Sequence, residues 1–326
     1  MILIKFKLKV FTDLATIIAI AIVLTFGSSV SVSAQKNLTK GEHFAEINGI
    51  KLHYYVRGKG PVCLVPSAGW GIPIQYILPL PVFEKHFTVV YYDTRLSGAS
   101  TGPTDPLKYT ADDFMQDMDS LRVYLKQRKV WLAGHSMGGF QVLNYAVQHN
   151  ENLNGLIVMS SIIKFDSVRT QQYRKLLTQR SNYEYYIKHP DVYQKAVAVQ
   201  LGKDTNHYSL REQFKITGCL YCHDGRKGSK FFSDIMFRDS VDHFIGTSGF
   251  YTKNVFSSLS KITVPTLVIC GDDDFICDHI SQSDRIHAQV LSSQLVILKN
   301  CGHMLWAEQP KAFSYAIDNW LIERNL

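Results

Sequence analysis

Six short runs of almost purely apolar residues recur along the chain: "PVCLVP" (61–66), "FTVVYYD" (87–93), "KVWLAG" (129–134), "LNGLIVMSS" (153–161), "VPTLVICG" (264–271) and "QLVILKN" (294–300). A strand with one wet face alternates apolar and polar residues. These runs do not alternate, so both faces of each must be covered. The stretches between them are amphipathic, as in 110–128, where Thr110 opens a helix with Asp112 and Asp113 in its first turn. Buried strands separated by helices dictate an α/β architecture, a mostly parallel sheet with helices on both faces. Ahead of them, "HFAEING" and "IKLHYYVRG" read as a hairpin around Asn48-Gly49, which brings the expected strands to eight, and a last helix is expected near Gln309 to Arg324.

The interval 164–258 breaks this rhythm, being rich in tyrosine, lysine and glutamine with helical patches and no clear buried strand. It reads as a mainly helical insertion after the sixth strand, leaving 35–163 and 259–326 as the core. The chain has 326 residues, 46% hydrophobic and 19% charged, which suits one large or two small domains. Its formal charge of +7 is mild, and no lysine/arginine run interleaved with aromatics appears, so a nucleic-acid footprint is not supported.

Residues 1–34 differ in kind. Lys5, Lys7 and Lys9 precede an apolar run from Leu14 to Gly27, and Val32-x-Ala34 follows among small residues. This is the pattern of a secretory signal peptide with Gln35 as the new N-terminus, which predicts export to the periplasm or medium and no stable membrane span after processing. The alternative is an uncleaved anchor helix, for which this run is short, since spanning needs roughly 20 apolar residues.

The third of the long apolar runs leads into "GHSMGG" (134–139), three glycines around a serine at a strand-to-helix junction. Gly134-x-Ser136-x-Gly138 fits the G-x-S-x-G turn that projects a nucleophilic serine, with glycines where strand and helix crowd each other. A serine hydroxyl is a weak nucleophile at neutral pH, so a histidine held by a carboxylate is needed elsewhere. "LVICGDDDFICD" puts carboxylates directly after a strand end and "LKNCGHMLWAEQP" puts His303 after the last strand, in the chain order Ser, Asp, His.

At these points the sequence resembles the α/β-hydrolase family, most closely its capped branch of proline iminopeptidases and small-molecule esterases. The resemblance puts the acid at the fourth position of a G-x-x-D loop, Asp274, and matches a "CGHxxxxEQP" loop at Cys301, Gly302, His303, Glu308, Gln309 and Pro310. "YYDTRLSGAST" resembles the family's D-x-R-G-x-G-x-S loop, keeping Asp93, Arg95, Gly98 and Ser100 but with Leu96 in a glycine's place. Pro66-Ser67 stands where the family has His-Gly after its third strand. By position, the backbone N–H groups of Ala68 and Met137 would form the oxyanion hole. The implied activity is a serine hydrolase acting through Ser136, His303 and Asp274 on small esters, amides or short peptides, without a cofactor. Proline iminopeptidase activity is the alternative. A ligand receptor that has lost turnover is the reading from another class.

Asp272, Asp273 and Asp278 compete with Asp274, and His135 reads as a packing or hydrogen-bonding residue because a neighbour on such a turn points away from the serine. His207, His223 and His243 lack metal-ligand spacing, and no metal is inferred. Cys63 and Cys270 lie in apolar runs and read as core residues. Cys219-x-x-Cys222-His223 matches a haem-attachment pattern, but two free thiols or a local disulfide are preferred readings. The resemblance brings the loops of Cys277 and Cys301 together, as a disulfide or as free thiols. An iminopeptidase needs carboxylates for the substrate ammonium, and Glu184, Asp191, Asp204 and Glu212 are the candidates, set among fifteen basic and nine acidic residues in 164–258. Tyr183, Tyr185, Tyr186, Phe231, Phe232 and Phe250 are expected to line an acyl pocket or to form the insertion's own core. Uncharged or acidic short esters are therefore the expected substrates.

Overall fold

The computed structural model describes residues 37–325 except 70, 234, 239 and 240, and the side chains of 241–243 and 251 are also outside the description. The expected leader and its cleavage point lie outside the described residues. From Gly41 onward the chain forms an eight-stranded sheet in the order β1-β2-β4-β3-β5-β6-β7-β8. The strands are β1 Gly41–Ile47, β2 Ile50–Gly58, β3 Val62–Pro66, β4 Thr88–Tyr92, β5 Val130–His135, β6 Leu153–Met159, β7 Thr266–Gly271 and β8 Ser293–Leu298. β1 and β2 pair antiparallel around Asn48-Gly49, both at positive φ as that two-residue turn requires, and β2 joins β4 antiparallel. Every later pairing is parallel. The expected α/β fold is present, with each apolar run a strand.

The parallel strands β3 and β5 to β7 are buried along almost their whole length, which is why their sequences do not alternate. Helices Pro81–His86 and Pro310–Ile322 cover one face through Phe83, Phe313 and Trp320, joined by Phe87 just after the first helix, with Trp131 of β5 edge-on to Trp320 at 5.9 Å between rings. Trp131 also explains Gly155 in the middle of β6, because any Cβ there would overlap the indole. Helices Ala111–Tyr124 and Met137–Gln148 pack against each other, and Thr110 and Asp113 form a reciprocal cap at the start of the first.

Between β6 and β7 the described residues hold helices and no strand, among them Ser167–Gln179, Pro190–Gln200, Leu210–Thr217 and Gly225–Phe232. Asp166, Ser209 and Asp224 cap three of them. This insertion has a small core of its own, Leu177, Tyr186, Ala196, Cys219 and Leu220, closed from below by Phe275 of the loop after β7. All strands from β3 onward run the same way, so the loops after β3, β5, β7 and β8 meet at one edge of the sheet. Among the described residues no helix is long and apolar enough to cross a membrane.

Candidate active site

β5 lies in the middle of the sheet, so the turn that ends it stands at the centre of that edge. Ser136 occupies the turn at φ 56° and ψ −120°, a conformation costing a non-glycine residue on the order of 1–3 kcal/mol. The neighbouring glycines hold it there. A Cβ on Gly134 would strike the Gly138 carbonyl, and one on Gly139 would lie 2.5 Å from the Ser161 side chain. Ser136 N–H donates to the Met159 carbonyl at 3.0 Å, fixing the turn to β6.

β7 and β8 are neighbours, and their loops bring two of the expected residues together. Asp274 Oδ2 accepts from His303 Nδ1 at 2.7 Å, while its Oδ1 accepts from the Ile276 and Cys277 amides at 2.9 Å each. Burial alone would raise the Asp274 pKa, but the His303 charge, that hydrogen bond and the Cys277 amide outweigh it and hold the carboxyl below its ordinary range. With Nδ1–H committed to the carboxylate, His303 Nε2 is left as an acceptor.

The competing carboxylates have other occupations. Asp273 pairs with Arg180, itself fully buried, at 3.2 Å and accepts from the Tyr183 hydroxyl at 2.8 Å. Asp272 accepts from the Cys301 amide, and Asp278 caps the next turn through the Ser281 amide at 2.8 Å.

The loop of His303 is clamped on three sides. Glu308 accepts from the Gly302 amide at 2.6 Å and from the amides of His223 and Asp224 at 2.9 and 2.8 Å, tying the insertion to the histidine loop. His303 N–H donates to the Tyr221 carbonyl at 2.7 Å. The Cys219-x-x-Cys222-His223 segment thus packs on this loop, with both thiols buried and the His223 ring bonded to Asp273 at 3.1 Å. All six cysteines are free and buried, Cys277 and Cys301 included.

His135 supplies the third clamp, and it is engaged at both ring nitrogens as expected. Its Nε2 donates to the His303 carbonyl at 2.9 Å, so Nδ1 accepts from the Tyr76 hydroxyl at 3.3 Å. Burial, followed by the charge of His303, drives its pKa well below the usual 6.5. The folded protein keeps this ring neutral where the unfolded chain takes up a proton. Its stabilisation is therefore full above pH 6.5 and is lost as pH falls below that value, by up to about 1.4 kcal/mol per unit until the folded-state pKa is reached. Urea titrations between about pH 7 and about pH 5 should show a steeper loss for the wild type than for His135→Gln. Parallel curves would mean that the ring is not held neutral.

Ala68 and Met137 flank the serine. Ala68 follows β3 and Met137 opens the helix after Ser136, and no group among the described residues accepts from either amide. The loop bearing Ala68 is held by the Asp93–Ser100 segment. Asp93 accepts from the Ile74 amide at 2.6 Å and the Ala99 amide at 2.8 Å, Ser97 Oγ accepts from the Gly71 amide at 3.2 Å, and Ser67 Oγ bonds Thr94 Oγ1 at 3.0 Å. Arg95 grips Asp117 through two bonds of 2.8 Å. Leu96 adopts φ 57°, so the backbone keeps the conformation that the missing glycine would favour.

A cavity of about 220 Å³ opens over these groups, lined by Ser136, His303, Ala68 and Tyr76 from the core and by Arg169, Gln200, Phe214, Tyr221 and Phe232 from the insertion. Of the six expected aromatics only Phe232 lines it. Tyr183, Tyr185 and Tyr186 sit in the insertion, and Phe250 packs on Phe114 and Phe140 beside a separate cavity. None of the four expected acids reaches it: Glu184 pairs with Lys188, Asp204 with Lys195, Glu212 caps its own helix, and Asp191 is exposed at a helix start. Sequence reasoning missed Arg169, Glu308 as a clamp and Cys277 as a neighbour. The ligand atoms of Cys277, Asp274 and His303 lie within 4.8 Å of one another. Burial, then the Asp274 carboxylate, push the Cys277 thiol well above its ordinary range, so it stays neutral. Only the contact of the insertion with the two core loops reveals these three residues.

Similarity to known proteins agrees with the geometry. Residues 60–310 match the family described as alpha/beta hydrolase fold. The chain is similar to a proline iminopeptidase of Saccharolobus solfataricus, at 27% identity over 83% of this chain and 89% of the relative. It is also similar to a 2-hydroxy-6-oxo-6-(2'-aminophenyl)hexa-2,4-dienoic acid hydrolase of Metapseudomonas resinovorans, at 23% identity over 87% of this chain and 91% of the relative. Among solved structures, an alpha/beta fold family hydrolase from Bacillus anthracis str. Sterne superposes with a TM-score of 0.66, covering 86% of this chain and 98% of that one at 17% identity. The match over most of the chain, on a sheet of this order, places it plainly: the protein is a hydrolase and belongs to the alpha/beta hydrolase fold family.

Proposed function

We propose that this protein is a serine hydrolase of small esters, working through Ser136, His303 and Asp274. The observation that carries the reading is the strained Ser136 turn opening on the same cavity as His303, whose other ring nitrogen is bonded to a buried carboxylate. Ser136 Oγ attacks the substrate carbonyl carbon and gives its proton to His303 Nε2, and the amides of Ala68 and Met137 receive the resulting oxyanion. His303 then protonates the leaving alkoxide as the C–O bond breaks. Water, deprotonated by the same nitrogen, hydrolyses the acyl-enzyme and regenerates Ser136. Asp274 holds the imidazole in the needed tautomer and balances its positive charge.

Proline iminopeptidase activity is the second reading, favoured by the name of the Saccharolobus solfataricus relative. Against it, no carboxylate among the described residues lines the cavity to receive a substrate ammonium. A fluorophosphonate probe should label Ser136. Absence of label would favour a receptor without turnover. A short-chain nitrophenyl ester run beside a prolyl anilide separates the two activities, and a strong preference for the anilide would establish the iminopeptidase. We also propose export with processing before Gln35, which mass spectrometry of the native N-terminus tests. An intact Met1 on membranes would favour the anchor.

A further inference from the structure

The cavity over Ser136 is walled mostly by Ile72, Ile162, Phe165, Phe214, Phe232 and Ile276. Among the described residues its one permanently charged side chain is Arg169, and no Asp or Glu joins the lining. Arg180 and Arg95, the arginines buried whole, are fully engaged, the first with Asp273 and the second with Asp117. Arg169 is not. Its buried Nε donates to no group among the described residues, and its Nη2 reaches only the Ile276 carbonyl, at 3.5 Å. The guanidinium is held instead by aromatic faces, 4.5 Å from the centre of the Tyr173 ring and 5.3 Å from that of Phe165.

The nearest acid in sequence is already occupied. Asp166 Oδ1 accepts from the Arg169 backbone amide at 3.1 Å, and Oδ2 pairs with Arg285 at 2.9 Å. Among the described residues no carboxylate forms an ion pair with the Arg169 guanidinium. A buried donor without an acceptor is unfavourable, and a guanidinium fork matches the paired oxygens of a carboxylate, as it does those of a phosphate. Helix Ser167–Gln179 supplies this fork, and Asp166 caps that helix, so the arginine is carried on a regular element rather than on a loose loop.

We infer that Arg169 is a specificity-determining residue that binds a carboxylate on the substrate, so that the substrates are acidic esters carrying a free carboxylate beside the scissile bond. This rests on the reading of Ser136 as nucleophile. The cavity then divides the work: apolar walls take the hydrocarbon between the two functional ends, Arg169 takes the anion, and Ser136 meets the ester carbonyl.

The test compares esters matched in length, mono-4-nitrophenyl adipate against 4-nitrophenyl hexanoate for an anion on the acyl side, and 4-acetoxybenzoate against 4-methylphenyl acetate for one on the leaving group. In at least one pair the wild type should favour the anionic ester in kcat/KM by about tenfold to a hundredfold, the range expected of one charge-assisted contact. Arg169→Gln should erase that ratio. The ratio is internal to each protein, so partial loss of folded variant does not disturb it. Adipate should also inhibit the wild type competitively, while 1-aminohexane should not. No anionic preference in either pair, or a ratio unchanged in Arg169→Gln, overturns the inference. If no ester is cleaved and the fluorophosphonate label is absent, the nucleophile reading has failed. Calorimetric binding of adipate to wild type and to Arg169→Gln still reads the arginine directly, and equal binding or none would overturn its role.

Discussion

Ser136→Ala is expected to lower kcat for ester hydrolysis by about 10⁴- to 10⁶-fold while leaving the melting temperature close to that of the wild type. In the proposed mechanism the hydroxyl forms the bond to the carbonyl carbon, and no other hydroxyl or thiolate is offered in its place. Cys277, the nearest thiol, is held neutral by burial and by Asp274 and offers no thiolate. The fold should tolerate the change because the turn at Ser136 is set by Gly134, Gly138 and Gly139 and by the amide bond to Met159, none of which involves the hydroxyl. His303→Ala should fall comparably, and the double variant should lose little more than either single one, since members of such a unit are not additive. Retention of even a tenth of wild-type kcat in Ser136→Ala would sink the assignment.

Asp274→Asn and Asp273→Asn are expected to fail in different ways, which separates two adjacent carboxylates by function. At Asp274 an amide keeps the shape but can turn a donor toward Nδ1, which reverses the imidazole tautomer and removes the negative charge. A loss of about 10⁴-fold in kcat is expected. At Asp273 the change leaves the buried Arg180 without its ion pair, and removing one partner of a buried pair costs about 3–5 kcal/mol. Asp273→Asn should therefore show chiefly a lower urea midpoint, with kcat reduced far less than in Asp274→Asn. Equal kcat losses in the two, at equal stability, would move the acid's role to Asp273.

The strands and the turn at Ser136 were legible because their signals are local. A continuous apolar run states that both faces of a strand are covered, and three glycines around a serine state that a strand and a helix crowd one turn. The hairpin at Asn48-Gly49 and the cap at Thr110 follow from the same kind of near-neighbour chemistry. The choice of Asp274 over its neighbours came from position in a resembling loop, and the hydrogen bond to His303 agrees with it.

The insertion was the least legible part. Its amphipathic patches marked helices but not what those helices face, and of the six aromatics expected to line the pocket or form the insertion's core, Tyr183, Tyr185 and Tyr186 join that core while Phe232 lines the cavity. Glu184, Asp204 and Glu212 looked equally available for a substrate ammonium. Each is in fact used by a residue within nine positions of it, Lys188, Ser209 or Lys195, contacts that a sequence permits but does not compel.

The sequence by itself determined the sheet and the turn that presents Ser136, because each depends on residues a few positions apart, while the histidine loop was marked by its resemblance to a family motif. Only the tertiary structure decided what surrounds them. That Glu308 clamps the loop of His303 to Asp224, that His135 fixes the same loop through its carbonyl, and that Arg169 lines the cavity of Ser136 with no ion pair among the described residues all depend on segments scores of residues apart meeting at one edge of the sheet. Charge pairing and burial act through space rather than along the chain. Nothing in the polar stretch around Arg169 says which groups its guanidinium will face, and folding sets that.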